Sequence, residues 1–323
     1  MRELFRIVVY IFVATSLVRR FEARNVIKAI AICLLLSIST CYVGELAIGI
    51  FRPWSSDFRM HGTIHASALA HQCLVVCLAA SSLALNSSRK NVWRAILIFA
   101  LITLVFSKTR GALFATLLGM ASIQMLRFKV ITNMIIGTGI VTLFAGLLFL
   151  SEMSGPKLKN QIGNAASLGR SEGVSTLTGR LPLWRVLWRE SRHDRVIGVG
   201  YGAFFTTKRT NALARELQWF PGHSHNAYFE TVLDLGYAGL CILFWLVAAT
   251  FVEAVRLCNA SRNYAYAFVA SLMVAGLLDG VVEVMFVSVR ELGLFVGMAI
   301  TMLFLYHPFD MRQAVEPMKN RVF

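Results

Sequence analysis

The chain has 323 residues, of which 57% are hydrophobic and only 15% are charged, whereas an ordinary soluble domain is about one quarter charged. This composition excludes an ordinary soluble globular domain, and apolar runs from end to end indicate a polytopic membrane protein. The formal net charge is +15. In a soluble protein that excess would point to nucleic acid. In a membrane protein it reflects basic residues in cytoplasmic loops, so no nucleic-acid partner is expected.

Apolar stretches near the length of about 20 residues that a helix needs to cross a bilayer predict about eight or nine spans. The first stretch, residues 7–18, is short and is a signal-like segment, a clipped span or a helix in the membrane interface. The other stretches are 29–50, 64–85, 92–107, 111–126, 130–151, 233–255, 264–289 and 291–307. The predicted fold class is therefore all-α, a transmembrane helical bundle with one long loop at 152–224.

Basic residues divide the short connections between these spans into a rich set and a poor set. Cytoplasmic connections carry the excess of lysine and arginine, so the rich set is predicted to be cytoplasmic. The rich connections are 19–28, 86–94, 127–129, 256–262 and the tail 308–323. Four parts follow: N-terminal membrane helices 1–151, an outer loop 152–224, C-terminal membrane helices 225–307, and the cytoplasmic tail 308–323.

The outer loop is itself basic, although long loops are exempt from the charge rule. Its charge indicates either contact with anionic lipid head groups or an anionic substrate outside the membrane. Within it, STLTGRLPLWRVLWRESR (175–192) predicts a helix capped by Thr178, with an apolar face of Leu181, Trp184, Leu187 and Trp188. This amphipathic helix lies on the outer membrane surface or packs against the protein's own bundle. Arg180 falls at its start, where backbone N–H groups favour an anion.

Three further stretches reach the same outer side. Arg110 lies in FSKTRGALFA (106–115), in the short turn between two spans. GVGYGAF (198–204) predicts a tight turn back to the membrane, because no strand–turn–helix unit surrounds it to make a nucleotide loop. In HNAYFETVLDLGYAGL (225–240), His225 and Asn226 stand at the outer start of the span 233–255.

Together, SKTRGA, TGRLPLW, GVGYGAF and the H-N-x9-G pattern from His225 to Gly236 resemble the O-antigen ligase and O-antigen polymerase superfamily. FRMHGTIHASALAH (58–71) also looks like an entry to an early span of that family. The resemblance covers roughly residues 55–300. It implies a multi-pass protein of the bacterial inner (plasma) membrane whose active site faces the periplasm, which makes 152–224 a periplasmic loop. Family members have more N-terminal spans, so the chain is expected to lack some.

The resemblance implies a donor glycan on undecaprenyl pyrophosphate and an acceptor that is a glycan or a lipid, as in lipopolysaccharide or exopolysaccharide assembly. The departing pyrophosphate develops negative charge, and an arginine fork binds phosphate oxygens through two bonds. Arg110 and Arg180 are the candidates for this work. A histidine titrates near neutrality and can take the proton of the acceptor hydroxyl. The resemblance assigns that catalytic role to His225 and leaves polymerase against ligase open.

Supporting roles are expected for Asn226, which orients the imidazole or caps the span, and for His223. Asp279 and Glu283, four residues apart on one face of the span 264–289, pair with an arginine or shape an acceptor pocket close to Arg290. Two arginines can replace a divalent metal, so no cofactor and no metal are expected.

Two alternatives remain. His223 and His225 could bind zinc with Glu230 or Asp234, if 221–226 is extended. His61 and His65, expected on one helix face, are too few for a metal site. The acids in the span 264–289 would also suit a polytopic secondary transporter or a glycan export component, although no inverted repeat is evident. Small buried hydrophobic roles are expected for all six cysteines.

Overall fold

A computed structural model describes residues 21–55, 58–126, 180–192 and 194–284. In these ranges all regular structure is helical and no strand occurs, which confirms the all-α prediction for this part of the chain. The helices are α1 (Ala23–Ile48), α2 (Ala66–Asn86), α3 (Lys90–Phe106), α4 (Arg110–Met125), α5 (Arg180–Glu190), α6 (Thr207–Leu217), α7 (Ala227–Ser261) and α8 (Ala265–Asp279).

Three of the described helices, α1, α2 and α7, are long and apolar enough to cross a membrane. Helices α3 and α4 coincide with predicted spans but have 17 and 16 residues, fewer than the roughly 20 that cross a bilayer unaided. The predicted stretches 7–18, 130–151 and 291–307 lie outside the described residues, as do the first part of the outer loop, 152–179, and the tail 308–323. The number of spans and the four-part division therefore stay predictions.

Helix α2 forms the centre of the bundle. It packs against α1, α3, α4 and α8, and 72% of its most apolar window is buried, against 28% in α1 and 22% in α7. Alanine, serine and cysteine fill much of its sequence, and small side chains let helix backbones approach closely inside a membrane. Helices α1 and α7 expose the apolar side chains that lipid would contact.

Close helix packing is most evident at Gly119 of α4. A Cβ atom there would lie 2.9 Å from Leu78 Cδ2, 3.1 Å from the Ala275 Cβ and 3.2 Å from the Ser271 carbonyl. Three helices, α2, α4 and α8, therefore meet at a point that has no room for a side chain. This contact fixes the height of α4 relative to α8, and so the positions of their ends.

A second, smaller core joins α5 and α6 to the start of α7. It consists of six buried side chains: Leu183, Val186, Leu187, Phe204, Leu213 and Leu233. Helix α5 thus buries its apolar face against the protein itself. Of the two positions predicted from the sequence, the outer membrane surface and the protein's own helices, this is the second. Trp188, predicted on that face, is instead 44% exposed. Helix α6 was not predicted from the sequence, although Thr206 caps it by accepting from the Arg209 amide at 3.3 Å.

Three expectations about local structure are wrong. Helix α8 ends at Asp279 and a turn follows, so Asp279 and Glu283 do not share the face of a continuous helix. Helix α2 begins at Ala66, so His61 and His65 precede it and share no helix face; His65 serves as its N-cap. All six cysteines are free, but only four are buried, because Cys33 and Cys241 are exposed.

Candidate active site

The starts of α2, α4 and α7 and the ends of α3 and α8 meet at one end of the bundle, which is called the site end below. The Met60 amide donates to the Phe106 carbonyl at 2.9 Å, and the Ala227 amide donates to the Gly280 carbonyl at 2.8 Å. A Cβ atom on Gly111 would lie 2.5 Å from Val282 Cγ2. The stretches that carry Arg110, Arg180 and His225 therefore share one side, as the sequence predicted.

Helix α7 is broken at Gly236, which has φ 68° and ψ −171°. In an unbroken helix the amides of Tyr237 and Ala238 would bond four residues back. Here they donate instead to the carbonyls of Arg195 and Val196, at 2.7 and 3.3 Å. The released carbonyls of α7 accept from the glycine-rich turn: Leu233 from the Val199 amide at 3.1 Å, and Asp234 from the Gly200 amide at 2.8 Å.

Two glycines make this crossing of backbones possible. A Cβ atom on Gly236 would lie 2.2 Å from the Val196 carbonyl oxygen, and one on Gly198 would lie 2.3 Å from the Asp234 carbonyl. Both residues also have positive φ angles that favour glycine. The predicted turn at 198–204 is confirmed, and its function is to clamp the break in α7. The H-N-x9-G pattern thus corresponds to a short helical segment of fixed length between His225 and the break at Gly236.

The loop before α7 presents His225 in a constrained backbone conformation. His225 has φ 53°, a left-handed value that is uncommon for a residue with a Cβ atom and is enriched at functional sites. Asn226 caps α7 by accepting from the Phe229 amide at 2.8 Å. The fully buried Ser224 donates from its amide to Oε2 of Glu230 at 2.8 Å and from its Oγ to the Asn226 carbonyl at 2.7 Å. The predicted capping role of Asn226 is confirmed.

Arg180, His225 and Glu283 form one charged cluster at the site end. One amino group of Arg180 lies 2.8 Å from Glu283 Oε1, and its other amino group donates to the Val282 carbonyl. Oε2 of Glu283 lies 3.8 Å from Nδ1 of His225, beyond hydrogen-bond distance but within range of a strong charge interaction. Burial by itself raises the pKa of Glu283, but His225 and Arg180 outweigh it and hold that pKa at about 2. The carboxylate is therefore ionised at neutral pH.

The rings of His223 and Trp219 also lie beside the His225 ring. The two imidazole centroids are 4.0 Å apart, and the Trp219 ring centroid is 6.1 Å from that of His225. Burial, and then the charge of His225, lower the pKa of His223 to about 4. His223 is thus a weak base at neutral pH, and its Nδ1 accepts from the His225 amide at 3.2 Å.

The other predicted site residues have different positions. Arg110 is the first residue of α4 and is half-buried, and no hydrogen bond or ion pair joins it to Arg180 or His225 among the described residues. Asp279 pairs with His71, not with an arginine: Nε2 of His71 lies 2.8 Å from Asp279 Oδ2, with both side chains buried. Arg290 lies outside the described residues. His71 was not predicted from the sequence, because a lone histidine inside an apolar span gives no pattern.

The two histidines of this loop are also the candidate zinc ligands. His223 and His225 do converge, as a zinc site would require, but no group of three or more potential metal ligands occurs among residues 21–55, 58–126, 180–192 and 194–284. Glu230, one of the ligands suggested from the sequence, is instead bound to the Ser224 amide. Asp234, the other, accepts from the Gly202 amide at 2.7 Å.

Comparison with known proteins identifies the region that contains Arg180 and His225. A sequence model of the O-antigen ligase family matches residues 95–244. The resemblance predicted from the motifs is confirmed. The matched region includes Arg110, Arg180, His225 and Gly236, whereas Asp279 and Glu283 follow it.

The chain is also similar to a curated relative, the exopolysaccharide production protein ExoQ of Rhizobium meliloti (strain 1021). The two are 32% identical over 102 residues, which is 30% of this chain and 23% of the relative. The chain therefore matches less than a quarter of the relative's length.

Proposed function

We propose that the protein is a membrane glycosyltransferase that transfers or polymerises glycan from an undecaprenyl-pyrophosphate-linked donor at the periplasmic face of the bacterial inner membrane. One observation carries the proposal: Arg180 and His225 converge on the same carboxylate at the site end of the bundle, 2.8 and 3.8 Å from its oxygens. A cation and a proton acceptor so placed are the two groups that displacement of a pyrophosphate requires.

Arg180 and Arg110 bind and stabilise the departing pyrophosphate in this account. Arg180 uses one N–H on Glu283 and one on Val282, so three of the five N–H groups of its guanidinium have no partner in the part of the chain that the structure describes and can bind an anion. Arg110 begins α4 beside the same turn, where the backbone N–H groups of a helix start add to its charge. Because two arginines and a helix start supply positive charge, the reaction proceeds without a divalent metal.

His225 removes the proton of the acceptor hydroxyl. Its Nδ1 is buried and faces Glu283, while 27% of the side chain is exposed, which leaves the Nε2 edge for an acceptor. The acceptor is a growing glycan if the protein is a polymerase and a lipid or other carrier if it is a ligase. The relative's exopolysaccharide role favours a polymerase or ligase of surface or exopolysaccharide assembly.

The runner-up is a polytopic secondary transporter or a glycan export component. The buried His71–Asp279 pair favours it, because ionisable pairs inside membrane bundles often serve proton coupling. The glycosyltransferase explains more of the site, since a proton-coupled pathway has no need for an arginine and a histidine that converge on one carboxylate.

A reconstitution experiment tests the proposal. A strain that lacks the protein should accumulate the lipid-linked glycan, which can be extracted and supplied to purified protein in nanodiscs. We expect release of undecaprenyl pyrophosphate together with a longer glycan or a glycosylated acceptor. Transport of the lipid-linked glycan across a vesicle membrane without any new glycosidic bond would favour the export component instead.

Topology is tested separately by cysteine accessibility in intact cells. The control is a variant with a single cysteine at Lys90, in a connection predicted to be cytoplasmic. The test variant has a single cysteine at Asn211, exposed on α6. An impermeant maleimide should label position 211 and not position 90. The reverse pattern would place the site in the cytoplasm and contradict the proposed donor face.

A further inference from the structure

We infer that Glu283 is a positioning residue: it holds the imidazole of His225 with Nε2 toward the acceptor and holds the guanidinium of Arg180 for the pyrophosphate. The inference rests on the proposed function. Glu283 lies beyond the region that matches the O-antigen ligase family.

Hydrogen bonds from the residues that follow His225 fix the position of Glu283. Asn226, next to His225, donates from Nδ2 to the Val281 carbonyl at 2.8 Å. The Ala227 amide donates to the carbonyls of Gly280 and Glu283, at 2.8 and 3.1 Å. The turn 280–284 is therefore tied to the start of α7 by three hydrogen bonds. The carboxylate and the imidazole cannot move independently, which is what a positioning contact requires.

The two oxygens of the carboxylate have separate partners. Oε1 accepts from Arg180 and Oε2 faces Nδ1 of His225. For Nε2 to accept a proton, the ring hydrogen must be on Nδ1. Nδ1 is buried and has no hydrogen-bond partner among the described residues, so Oε2 is the group that selects this tautomer. A shift of less than 1 Å would bring the pair from 3.8 Å into hydrogen-bond range.

Charge gives a second argument. A buried carboxylate beside an anion-binding arginine opposes the binding of pyrophosphate, and the side chain of Glu283 is only 13% exposed. If anion binding were the only function of the site, an apolar residue or a neutral amide would serve better at this position. The carboxylate is useful once His225 becomes a cation, because the charge of Glu283 then stabilises the imidazolium.

In the transfer step, Glu283 neither takes a proton nor forms a bond. The acceptor hydroxyl gives its proton to Nε2 of His225, and the acceptor oxygen forms the new bond to the anomeric carbon of the donor sugar. The bond from that carbon to the pyrophosphate oxygen breaks, and its electron pair stays on the pyrophosphate beside Arg180. Glu283 gains no proton; His225 later releases its proton to solvent.

The test is the variant Glu283→Gln, assayed in nanodiscs for turnover of the extracted lipid-linked glycan and for binding of undecaprenyl pyrophosphate. Glutamine keeps an oxygen for Arg180 but removes the charge beside Nδ1. We expect kcat to fall about 10- to 100-fold, while binding of undecaprenyl pyrophosphate is no weaker than in the parent, because the charge that is removed opposes the anion. Glu216→Gln is the matched control, since Glu216 pairs with the exposed Arg189 at 2.6 Å, and should keep normal turnover.

Coupling to His225 separates positioning from structural support. In a His225→Ala background, Glu283→Gln should have no further effect on turnover, because residues that act as a unit are not additive. Multiplied losses in the double variant, or a normal kcat with altered undecaprenyl pyrophosphate binding, would overturn the inference. If Glu283→Gln does not fold, Glu283→Asp replaces it: the charge is kept at a longer distance, so an intermediate kcat is expected, and a normal kcat overturns the inference.

Failure of the inference is distinguishable from failure of the proposed function. A dead His225→Ala variant combined with a fully active Glu283→Gln variant leaves the glycosyltransferase in place and removes only the positioning role. A fully active His225→Ala variant removes the general base, and with it both the mechanism and the role of Glu283.

Discussion

The side chain of Asn226 joins the start of α7 to Val281 in the turn after α8. Its oxygen accepts from the Phe229 amide and its nitrogen donates to the Val281 carbonyl, each at 2.8 Å. One amide group therefore caps a helix and fixes the turn that carries Glu283. This relationship explains why an asparagine, which has both a donor and an acceptor, follows His225 in the chain.

Substitutions of Asn226 should separate these two roles. Asn226→Ala removes both bonds, and we expect it to lower the free energy of unfolding by about 1–2 kcal/mol and to reduce turnover. Asn226→Asp keeps the acceptor for the Phe229 amide but sets an oxygen against the Val281 carbonyl. It should keep most of the cap's stability and lose turnover, as judged by thermal unfolding and by the nanodisc assay. Full turnover of Asn226→Asp would show that the bond to Val281 is dispensable.

Arginine substitutions test the anion-binding role of the site. Arg180→Ala and Arg110→Ala should each remove about 2–4 kcal/mol of transition-state stabilisation, measured as the drop in kcat/KM. Lysine at either position should restore activity only partly, since it lacks the planar fork. Arg185→Ala is the matched control, because Arg185 is exposed on the same helix as Arg180. Equal, mild losses at all three positions would favour contact with lipid head groups over a pyrophosphate site.

The crossing of Gly198 and Gly236 should be intolerant of any side chain. Gly236→Ala places a Cβ atom 2.2 Å from a backbone oxygen at a positive φ, and we expect a destabilisation of about 3 kcal/mol or more. Thermal unfolding of the purified protein measures it. Gly222→Ala is the control, because a Cβ atom there meets nothing within 4 Å. Equal stability of the two variants would contradict the described break in α7.

His223 should make stability depend on pH in a defined window. Burial and the charge of His225 lower its pKa in the folded protein to about 4, while Glu283, Arg180 and His65 also act on it. An unfolded histidine titrates near 6.5. Between these values the unfolded state binds the extra proton, so the contribution is complete above about pH 6.5 and is lost as the pH falls toward 4. His223→Gln should flatten the unfolding temperature in that window, whereas His61→Gln, at an exposed position, should not. A variant profile parallel to the parent profile would contradict this account.

Periodicity and length were enough to predict the bundle helices, because a membrane requires long apolar segments whose backbone is satisfied internally. The beginning of α4, at Arg110, agrees closely with the predicted span 111–126 for that reason. Helix α7 instead starts at Ala227, ahead of the predicted span 233–255. The prediction that Arg110, Arg180 and His225 lie on the same side also followed from the alternation of spans across the membrane. Helix α6 was missed because its charged composition resembles a loop.

Tertiary contacts determine the features that could not be predicted from the sequence pattern. The end of α8 at Asp279 depends on the Asn226 and Ala227 hydrogen bonds to the following turn, which lie more than 50 positions away in the chain. Likewise, the break at Gly236 exists because the 195–200 backbone replaces the missing helical bonds. The pairings of Asp279 with His71 and of Glu283 with Arg180 come from that same turn. Local pattern alone assigns both acids to one helix face.

The central claim is that His225 is the general base of a metal-independent transfer, and turnover of His225→Ala and His223→Ala with and without EDTA tests it most directly. The assay uses purified protein in nanodiscs with the extracted lipid-linked glycan. We predict that His225→Ala loses at least about 100-fold in turnover and still binds undecaprenyl pyrophosphate. His223→Ala should be much milder, and the parent protein should be indifferent to EDTA. Equal loss at both histidines, together with activity that EDTA abolishes and added zinc restores, would contradict the account.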